Sequence, residues 1–237
     1  VLPVLGGNFN IEHFSWYQQQ GQDPNVHFAG SIEDVSLQQL STVLEWQPLS
    51  GKINGDIPGV RYSQGRLNIE GEIKAKLFDG EVRIKKLASS ELFSDFSRFY
   101  ADIEFDNLDL NQLTQTFDFG GMEGRLSGYA RDVYLENWQP VSFSAWLGTP
   151  EGDTSKHRIS QKAVNSISSI GGGGAVDGLS RSFLRFFDNF GYDRLGVGCL
   201  LQQGVCQLKG VGESGQGYYI VKGGGLPRID VIGYNSR

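Results

Sequence analysis

The stretch LNIEGEIKAKL, residues 67–77, alternates apolar or small residues with polar ones at every position. Side chains of a β-strand point to opposite faces with a period of two residues, so this pattern predicts a strand with one apolar and one wet face. Asp79 and Gly80 follow as a hairpin turn signal. We therefore predict a hairpin with strands over 65–77 and 81–87. Its apolar face carries Leu67, Ile69, Ile73, Ala75, Leu77, Val82 and Ile84.

Composition places the chain among soluble globular proteins rather than disordered ones. Of its 237 residues, 39% are hydrophobic and 20% are charged, and the net charge is −6. An acidic chain is a poor match for nucleic acid, which selects basic surfaces. Glycine occurs 33 times, about twice its usual share, which predicts many turns and bends. No apolar run approaches the roughly 20 residues of a membrane-spanning helix, and the opening VLPVLGGNFN is not a signal peptide. We expect the chain to be a fragment of something longer.

An internal repeat relates two parts of the chain that lie 73 residues apart. SIEDVSLQQLS at 31–41 aligns without gaps on EFDNLDLNQLT at 104–114, and the similarity spans about 29–62 and 102–135. Each copy is predicted to form a strand, a short helix capped by Ser36 or Asp109, and a glycine-containing strand. Fixed-period similarity favours an extended stack of structural units.

The run SSIGGGGAVDG at 168–178 does not fit a phosphate-binding loop. Its glycines lack the spacing of the dinucleotide fingerprint, and Leu179 stands where the other phosphate loop requires a lysine. We interpret it as a joint between two helices, over 158–170 and 176–190, within a helical insertion of about 158–190. Their apolar positions, predicted to close one end of the sheet, include Ile159, Ala163, Ile167, Phe183, Phe186 and Phe187. The phenylalanines could pack in the core or dip into a membrane.

Residue spacing gives no support to an enzyme. The histidines His13, His27 and His157 have no metal-ligand spacing with one another or with cysteine. No Gly-x-Ser-x-Gly nucleophile motif is present. We expect no catalytic residues, no metal and no cofactor.

Cys199 and Cys206 flank the sequence LLQQGV. A four-residue loop over 201–204, with Gly204 in the left-handed conformation, would place the two cysteines directly opposite each other and Val197 opposite Leu208. Such neighbours are close enough for a disulfide, which we favour in an oxidising compartment over two buried thiols.

Four long stretches together resemble one family. They are MEGRLSGYARDVYLENWQPVSFSAWLGTP at 122–150, HRISQKAVNSISSIGGGGA at 157–175, FGYDRLGVGC at 190–199 and GYYIVKGGGLPRIDVIGYN at 217–235. They are similar to the C-terminal part of the YdbH-type AsmA-like proteins of Gram-negative bacteria. The resemblance covers the whole chain and is tightest from about residue 120 onward.

The resemblance implies a mainly β fold: an elongated, twisted antiparallel sheet forming an open groove, with short helices and a C-terminal two-helix element. We expect residues 1–237 to form one segment of such a groove, ending in closing strands over about 193–234. It also implies a periplasmic protein, anchored in the inner membrane through an N-terminal helix outside this sequence. Such proteins are thought to carry phospholipids between the inner and outer membranes. Family labels also mention dicarboxylate transport, for which these residues give no support.

The expected partners are phospholipid acyl chains, held on the apolar face, and a small outer-membrane lipoprotein. The groove lining is expected to include Phe143 and Ala145 besides the seven apolar hairpin residues. The terminal run 228–234 alternates like an edge strand, so we predict that the lipoprotein adds a strand along Ile229, Val231, Ile232 and Tyr234. The alternatives are an ordinary sandwich core for the apolar face and a structural docking module for the whole chain.

Overall fold

The computed structural model describes residues 1–21, 23–43, 45, 47–91, 96–170, 187–215 and 217–234. The first six strands are β1 (Leu2–Val4), β2 (Gly7–Tyr17), β3 (Asn25–Ser36), β4 (Gly51–Ser63), β5 (Arg66–Leu77) and β6 (Gly80–Ser90). The next five are β7 (Arg98–Asp109), β8 (Met122–Glu123), β9 (Arg125–Glu136), β10 (Gln139–Gly148) and β11 (Arg158–Ser160). The last five are β12 (Asn189–Gln202), β13 (Val205–Gly210), β14 (Glu213–Ser214), β15 (Gly217–Gly223) and β16 (Val231–Gly233). The helices formed by the described residues are α1 (Leu37–Val43), α2 (Leu110–Thr116) and α3 (Gln161–Ile170).

The described strands belong to one open antiparallel sheet. Its main path runs β1-β2-β3-β4-β5-β6-β7-β9-β10-β12-β11-β8, while β13 and β15 also pair with β12, and β14 and β16 pair with β15. The predicted fold class is confirmed, because the protein is mainly β with an open antiparallel sheet and short helices. Of the predicted C-terminal helix pair, α3 is described, and residues 171–186 lie outside the described part.

The chain divides into two compact units. The first comprises 1–105, 129–144 and 202–204, and the second comprises 106–128, 145–201 and 205–237. Strands β2 to β6 form a meander that makes up most of the first unit.

Two-residue turns close two of the hairpins of this meander. Gln64 and Gly65 connect β4 to β5, and Phe78 and Asp79 connect β5 to β6, all four with positive φ angles between 51° and 73°. Such turns match the twist of the strands they join. The predicted β5–β6 hairpin is present, but its turn lies one residue earlier than predicted, because Leu77 pairs with Gly80.

A β-bulge interrupts the pairing of β4 with β5, but the apolar residues on either side of it stay on the same face of the sheet. Ile57 and Pro58 of β4 lie opposite Gly71 of β5, between the pairs Asp56–Glu72 and Gly59–Glu70. Gly71 has φ +102°, and a Cβ there would lie 2.4 Å from Pro58 Cδ. Glycine is required at this position because neither the backbone angle nor the space suits a side chain.

The second unit has a packed apolar core. Ile159 of β11, Ala163 of α3, Phe190 of β12 and Val221 of β15 have no exposed surface. Val231 of β16 is also buried at 2% exposure. The core therefore lies where α3 meets strands from the C-terminal part of the chain.

The two halves of the internal repeat have the same local structure. Helices α1 and α2 each span seven residues and begin 73 residues apart. Ser36 Oγ accepts a hydrogen bond from Gln39 N (3.3 Å), and the Asp109 carboxylate accepts one from Gln112 N (2.9 Å). Both side chains therefore cap their helices, as the sequence predicts.

A buried hydroxyl group ties each of these helices to the chain that follows. In α1, Ser41 Oγ donates to Gln38 O (3.0 Å) and accepts from Leu49 N (3.2 Å). In α2, Thr114 Oγ1 donates to Leu110 O (2.7 Å) and accepts from Met122 N (3.3 Å). The accepting bond satisfies a backbone N–H that secondary structure leaves unpaired.

The predicted helix over 158–170 is wrong at its start. Ile159 lies in strand β11 opposite Phe190. The backbone N–H groups of Ser160 and Gln161 donate to Gly121 O (2.8 Å) and Asp188 O (3.1 Å). The helix begins at Gln161 because pairing with β12 and β8 holds β11 extended up to Ser160, and Ser160 Oγ then caps the helix by accepting from Ala163 N (3.2 Å).

The predicted helix over 176–190 is wrong at its end. Phe190 belongs to strand β12 and is fully buried there, and Phe187 precedes that strand without being helical. Phe183 and Phe186 lie outside the described residues. Apolar residues at a helical spacing can equally enter a strand when a tertiary partner, here β11, supplies the pairing.

Cys199 and Cys206 are joined by a disulfide, with Cα atoms 5.6 Å apart. The predicted four-residue loop between them is wrong, because Gln203 and Gly204 form a two-residue turn with φ angles of 51° and 75°. A two-residue turn does not produce the register that a four-residue loop would, on which the predicted pairings of Cys199 with Cys206 and of Val197 with Leu208 rested. The Cα separation of 5.6 Å lies within the usual range for a disulfide.

We predict that Thr114→Val lowers the free energy of unfolding by about 1–3 kcal/mol, because Met122 N loses its buried acceptor while the side-chain shape is kept. Thr116→Val is the matched control, because Thr116 Oγ1 donates only to Gln112 O within the helix and should change stability by less than about 0.5 kcal/mol. Chemical denaturation of both variants measures the difference. Equal losses would show that the Thr114 hydroxyl has no special role.

Candidate functional site

The apolar face of the β2–β6 meander is the candidate site of the first unit. Strand register aligns its residues in rows across the sheet. Ile84, Ile73, Gly55, Ile32 and Phe9 form one row. Because paired residues share a face, these side chains all point to the same side.

Further rows extend this face in both directions along the strands. Ala75 pairs with Val82 and with Ile53, which pairs in turn with Val35. On the other side of the bulge, Ile69, Val60, Phe28 and Phe14 form a row, as do Leu67, Tyr62, Val26 and Trp16. We call the residues of these rows the apolar face.

Within the first unit, few described residues pack against the apolar face. Among the described residues, the buried hydrophobic ones of the first unit are Val35, Leu37, Ile57 and Phe78, whereas the second unit has four times as many. Most of the apolar face is half-buried, and Phe14 and Trp16 are 57% and 63% exposed. Within the described part of the first unit, the sheet therefore lacks the second layer that a sandwich core would require.

The structure brings most of the predicted lining residues together. Leu67, Ile69, Ile73, Ala75 and Leu77 are all half-buried, and the first four share the apolar face. Val82 and Ile84 lie beside them on β6. Phe143 and Ala145 are half-buried in β10, Phe143 in the first unit and Ala145 in the second.

Sequence reasoning missed the aromatic part of this face on β2 and β3. Phe9 and Phe28 stack with ring centroids 5.0 Å apart. The alternation of β2 is shifted between Ile11 and His13, where the register against β3 changes by one residue. A strict period-two reading of the segment NFNIEHFSWY therefore separates Phe9 from Phe14, although the fold places both on one face.

The opposite face of the meander is charged. Lys85 Nζ lies 3.3 Å from Glu72 and 2.9 Å from Glu104. Burial acts to raise the pKa of Glu72, but Lys74 and Lys85 outweigh it and hold that pKa below its usual value. The Asp102 carboxylate likewise has a lowered pKa, chiefly through Lys86 and also through the backbone N–H of Asp132. The sheet thus has one charged and one apolar face.

The second unit contains an apolar cavity of about 330 Å³ beside helices α2 and α3. Its lining includes Leu113, Phe117, Met122, Ile167 and Leu195. Of the predicted groove-end residues, Ile167 lines this cavity, while Ile159 and Ala163 are buried in the neighbouring core.

A larger polar cavity, of about 810 Å³, also lies in the second unit. The hydrogen bonds along the wall of this cavity converge on Asp153. Its carboxylate accepts from Ser155 N and Ser155 Oγ (both 2.9 Å) and from Arg125 N (3.2 Å), and lies 3.0 Å from His157 Nε2. Burial acts to raise the pKa of Asp153, but these bonds, led by the one with His157, hold it at about 2.

The aromatic wall of this cavity is fixed as well. The His157 ring stacks on Tyr192 with centroids 4.8 Å apart, and Tyr192 Oη donates to Glu123 O (2.7 Å). Burial raises the pKa of Tyr192. The Ser155 hydroxyl donates to the same Asp153 carboxylate that accepts from Ser155 N and Arg125 N, so these bonds hold the loop together.

The C-terminal strand β16 pairs with β15 and, among the described strands, with no other. Ile229 and Val231 are buried, Ile232 is half-buried and Tyr234 is 43% exposed. The predicted alternation of this run is thus present, and β16 is an edge strand of the described sheet.

No family model, curated protein or solved structure matches this chain. Among the helices that the described residues form, none combines the length and apolarity of a membrane span. The described residues also contain no group of three or more histidine, cysteine, aspartate or glutamate side chains placed to hold a metal ion.

We predict that Asp153→Asn lowers the free energy of unfolding at pH 7 by about 1–3 kcal/mol, because the charged hydrogen bonds are lost. A carboxyl group whose pKa falls from 3.8 to about 2 on folding stabilises the fold above pH 4 and loses this effect as the pH falls toward 2. The difference between wild type and variant should therefore shrink across that window, as denaturation at several pH values would show. Asp193→Asn is the control, because Asp193 is an exposed residue of the same cavity. A difference that does not depend on pH would contradict this role for the Asp153 charge.

Proposed function

We propose that this chain is a segment of a periplasmic bridge that moves phospholipids between the inner and outer membranes, with acyl chains held on the apolar face. The observation that carries the proposal is the two-faced sheet of the first unit. One face is lined by ion pairs, and the other carries aliphatic and aromatic rows with no second layer in the described part.

The size of this face fits an extended lipid tail. Five strands at a spacing of about 4.8 Å give a width of roughly 19 Å, and strands of eleven or more residues at about 3.3 Å each give a length of roughly 36 Å. Exposed apolar patches above a few hundred Å² mark interaction sites in soluble proteins. Acyl chains require dry contact without hydrogen bonds and gain about 0.8 kcal/mol for each buried CH₂ group.

Two further features support the compartment. The disulfide between Cys199 and Cys206 is of a kind that persists in oxidising environments such as the periplasm. The resemblance to YdbH-type AsmA-like proteins implies the same location, with an anchor in the inner membrane supplied by chain outside this sequence.

A second candidate function is docking of a small outer-membrane lipoprotein by strand addition. The edge position of β16 favours it, because an edge strand offers unpaired main-chain donors and acceptors. Docking and lipid conduction use different surfaces, so one protein could perform both.

For lipid binding, we predict that Ile69→Asp lowers the amount of phospholipid that co-purifies with the periplasmically expressed protein by at least about fivefold. A carboxylate on the apolar face must be desolvated beneath an acyl chain, which is costly. Bound lipid is measured by mass spectrometry per mole of protein.

Asn68→Asp is the matched control, because Asn68 is the exposed neighbour on the opposite face of the same strand. It should retain the wild-type amount of lipid. Equal lipid content in wild type and both variants, with all three folded, would contradict the proposal.

For lipoprotein docking, we predict different effects of proline at two neighbouring positions. Successive N–H groups of a strand point to opposite edges, so one of Val231→Pro and Ile232→Pro should break pairing with β15 and lower the melting temperature. The other should leave stability close to wild type and abolish binding of the partner.

The partner is identified with a photo-crosslinking residue at Tyr234 in living Gram-negative cells, which should capture a small lipoprotein. A stable variant pair with undiminished crosslinking would disprove docking at β16.

A further inference from the structure

Two of the three histidines of this chain lie side by side on one face of the first unit. The antiparallel pairing of β2 with β3 brings His13 and His27 together, with ring centroids 5.4 Å apart and ring planes inclined by 55°. The third histidine, His157, lies in the second unit, where its ring stacks on Tyr192. The fold therefore creates a histidine pair that no spacing in the sequence indicates.

A β-bulge in β2 turns His13 toward His27. The register between the two strands shifts at Glu12, which has no partner residue on β3, and His13 then pairs with Ala29. Uninterrupted pairing would place His13 opposite Phe28, whose side chain belongs to the apolar face. Bulges often redirect a side chain next to a functional site. Here the bulge places both imidazole rings on the face opposite to the apolar face.

The two histidines are diagonal neighbours on this face. Ala29 pairs with His13 and lies two residues after His27 in β3, so all three side chains point to the same side. Diagonal positions on an antiparallel pair are close enough for aromatic and long side chains to meet.

The separation of the rings fits two imidazoles that share one metal ion. A zinc ion about 2.0–2.1 Å from a ring nitrogen lies about 3.2 Å from the centroid of that ring. A tetrahedral angle of about 109° between the two ligands then separates the centroids by about 5.2 Å. The 5.4 Å between His13 and His27 differs from this value by a few tenths of an ångström, so small ring rotations are sufficient for chelation.

We propose that His13 and His27 together bind a divalent transition-metal ion, such as zinc, nickel or copper, with water completing its coordination. These are the ions that imidazole ligands suit, and each ring binds in its neutral form through one nitrogen. The bound ion links β2 to β3 on the polar side of the sheet. The proposal concerns neither lipid nor the lipoprotein, because it uses the face opposite to the apolar face and lies outside β16.

The charged residues around the pair are compatible with a bound cation. Arg61 of β4 pairs with His27, but its guanidinium lies 2.9 Å from the Glu70 carboxylate, which offsets its charge. Glu12 precedes His13 and adds a negative charge. These three charged residues sum to one negative charge.

The test measures metal binding by calorimetry on protein that carries no polyhistidine tag. Zinc, nickel and copper should each bind with one ion per chain, and copper should bind most tightly. His13→Gln and His27→Gln should each weaken zinc binding at least about tenfold, because a single imidazole remains. His157→Gln is the control and should stay within about twofold of wild type, because His157 belongs to the second unit.

Two further measurements report the geometry of the pair. Electron paramagnetic resonance of the copper complex should show coupling to two imidazole nitrogens in wild type and to one in His13→Gln. Ala29→His adds a third imidazole on the same face and should tighten zinc binding at least about tenfold, since zinc sites commonly use three or four protein ligands.

The proposal is overturned if none of the three ions shows saturable binding, or if either His13→Gln or His27→Gln binds zinc like wild type. Loss of binding in His157→Gln with both other histidines present would place the ion elsewhere and overturn it as well. A copper spectrum with a single nitrogen ligand in wild type, or an Ala29→His variant that binds zinc no more tightly, would contradict the shared site.

Discussion

Antiparallel main-chain pairing with a strict two-sided arrangement of side chains is the constraint on which the first unit depends. Because neighbouring strands are in register, each apolar residue on β5 has an apolar or small partner on β4, as in the pair Ala75–Ile53. Where β4 gains a residue, the bulge at Gly71 absorbs it, and Ile69 and Ile73 stay on the same side. A one-residue slip without such a bulge would have moved half of each row to the charged face. Register and bulges together therefore maintain a continuous apolar face.

The two short helices of the repeat, α1 and α2, are each secured by a hydroxyl group. Ser41 and Thr114 occupy equivalent positions, and each binds a backbone N–H of the following segment. A helix of seven residues has too few internal hydrogen bonds to be stable alone. The cap at one end and the hydroxyl bond at the other explain how such a short element recurs with the same bounds 73 residues later.

The two units use apolar residues in different ways. In the second unit they fill a core around Ile159 and Phe190, and a network centred on Asp153 holds the adjoining loop. In the first unit most of them line a sheet face that the described residues leave half-exposed. This contrast is the basis for our proposal that the first unit binds a ligand. Lipid is the proposed ligand because acyl chains require only dry contact.

The sequence by itself determined the elements whose signals are local. Alternation identified β5 and β6, and the repeat identified α1 and α2 with their caps. Leu67, Ile69, Ile73 and Ala75 of β5 were assigned to one face, where strand pairing also places them. The tertiary structure decided what depends on distant partners. Ile159 and Phe190 each fit the helical spacing of apolar residues in their own segment. They lie in strands because they pair with each other. Local sequence patterns also failed to predict three other features. These are the hairpin turn at Gln203, the placement of Phe9 and Phe14 on one face, and the bonds of Asp153 to Arg125 and His157. Periodicity records which side of an element is apolar, whereas strand pairing and side-chain contacts are set by residues far apart in the chain.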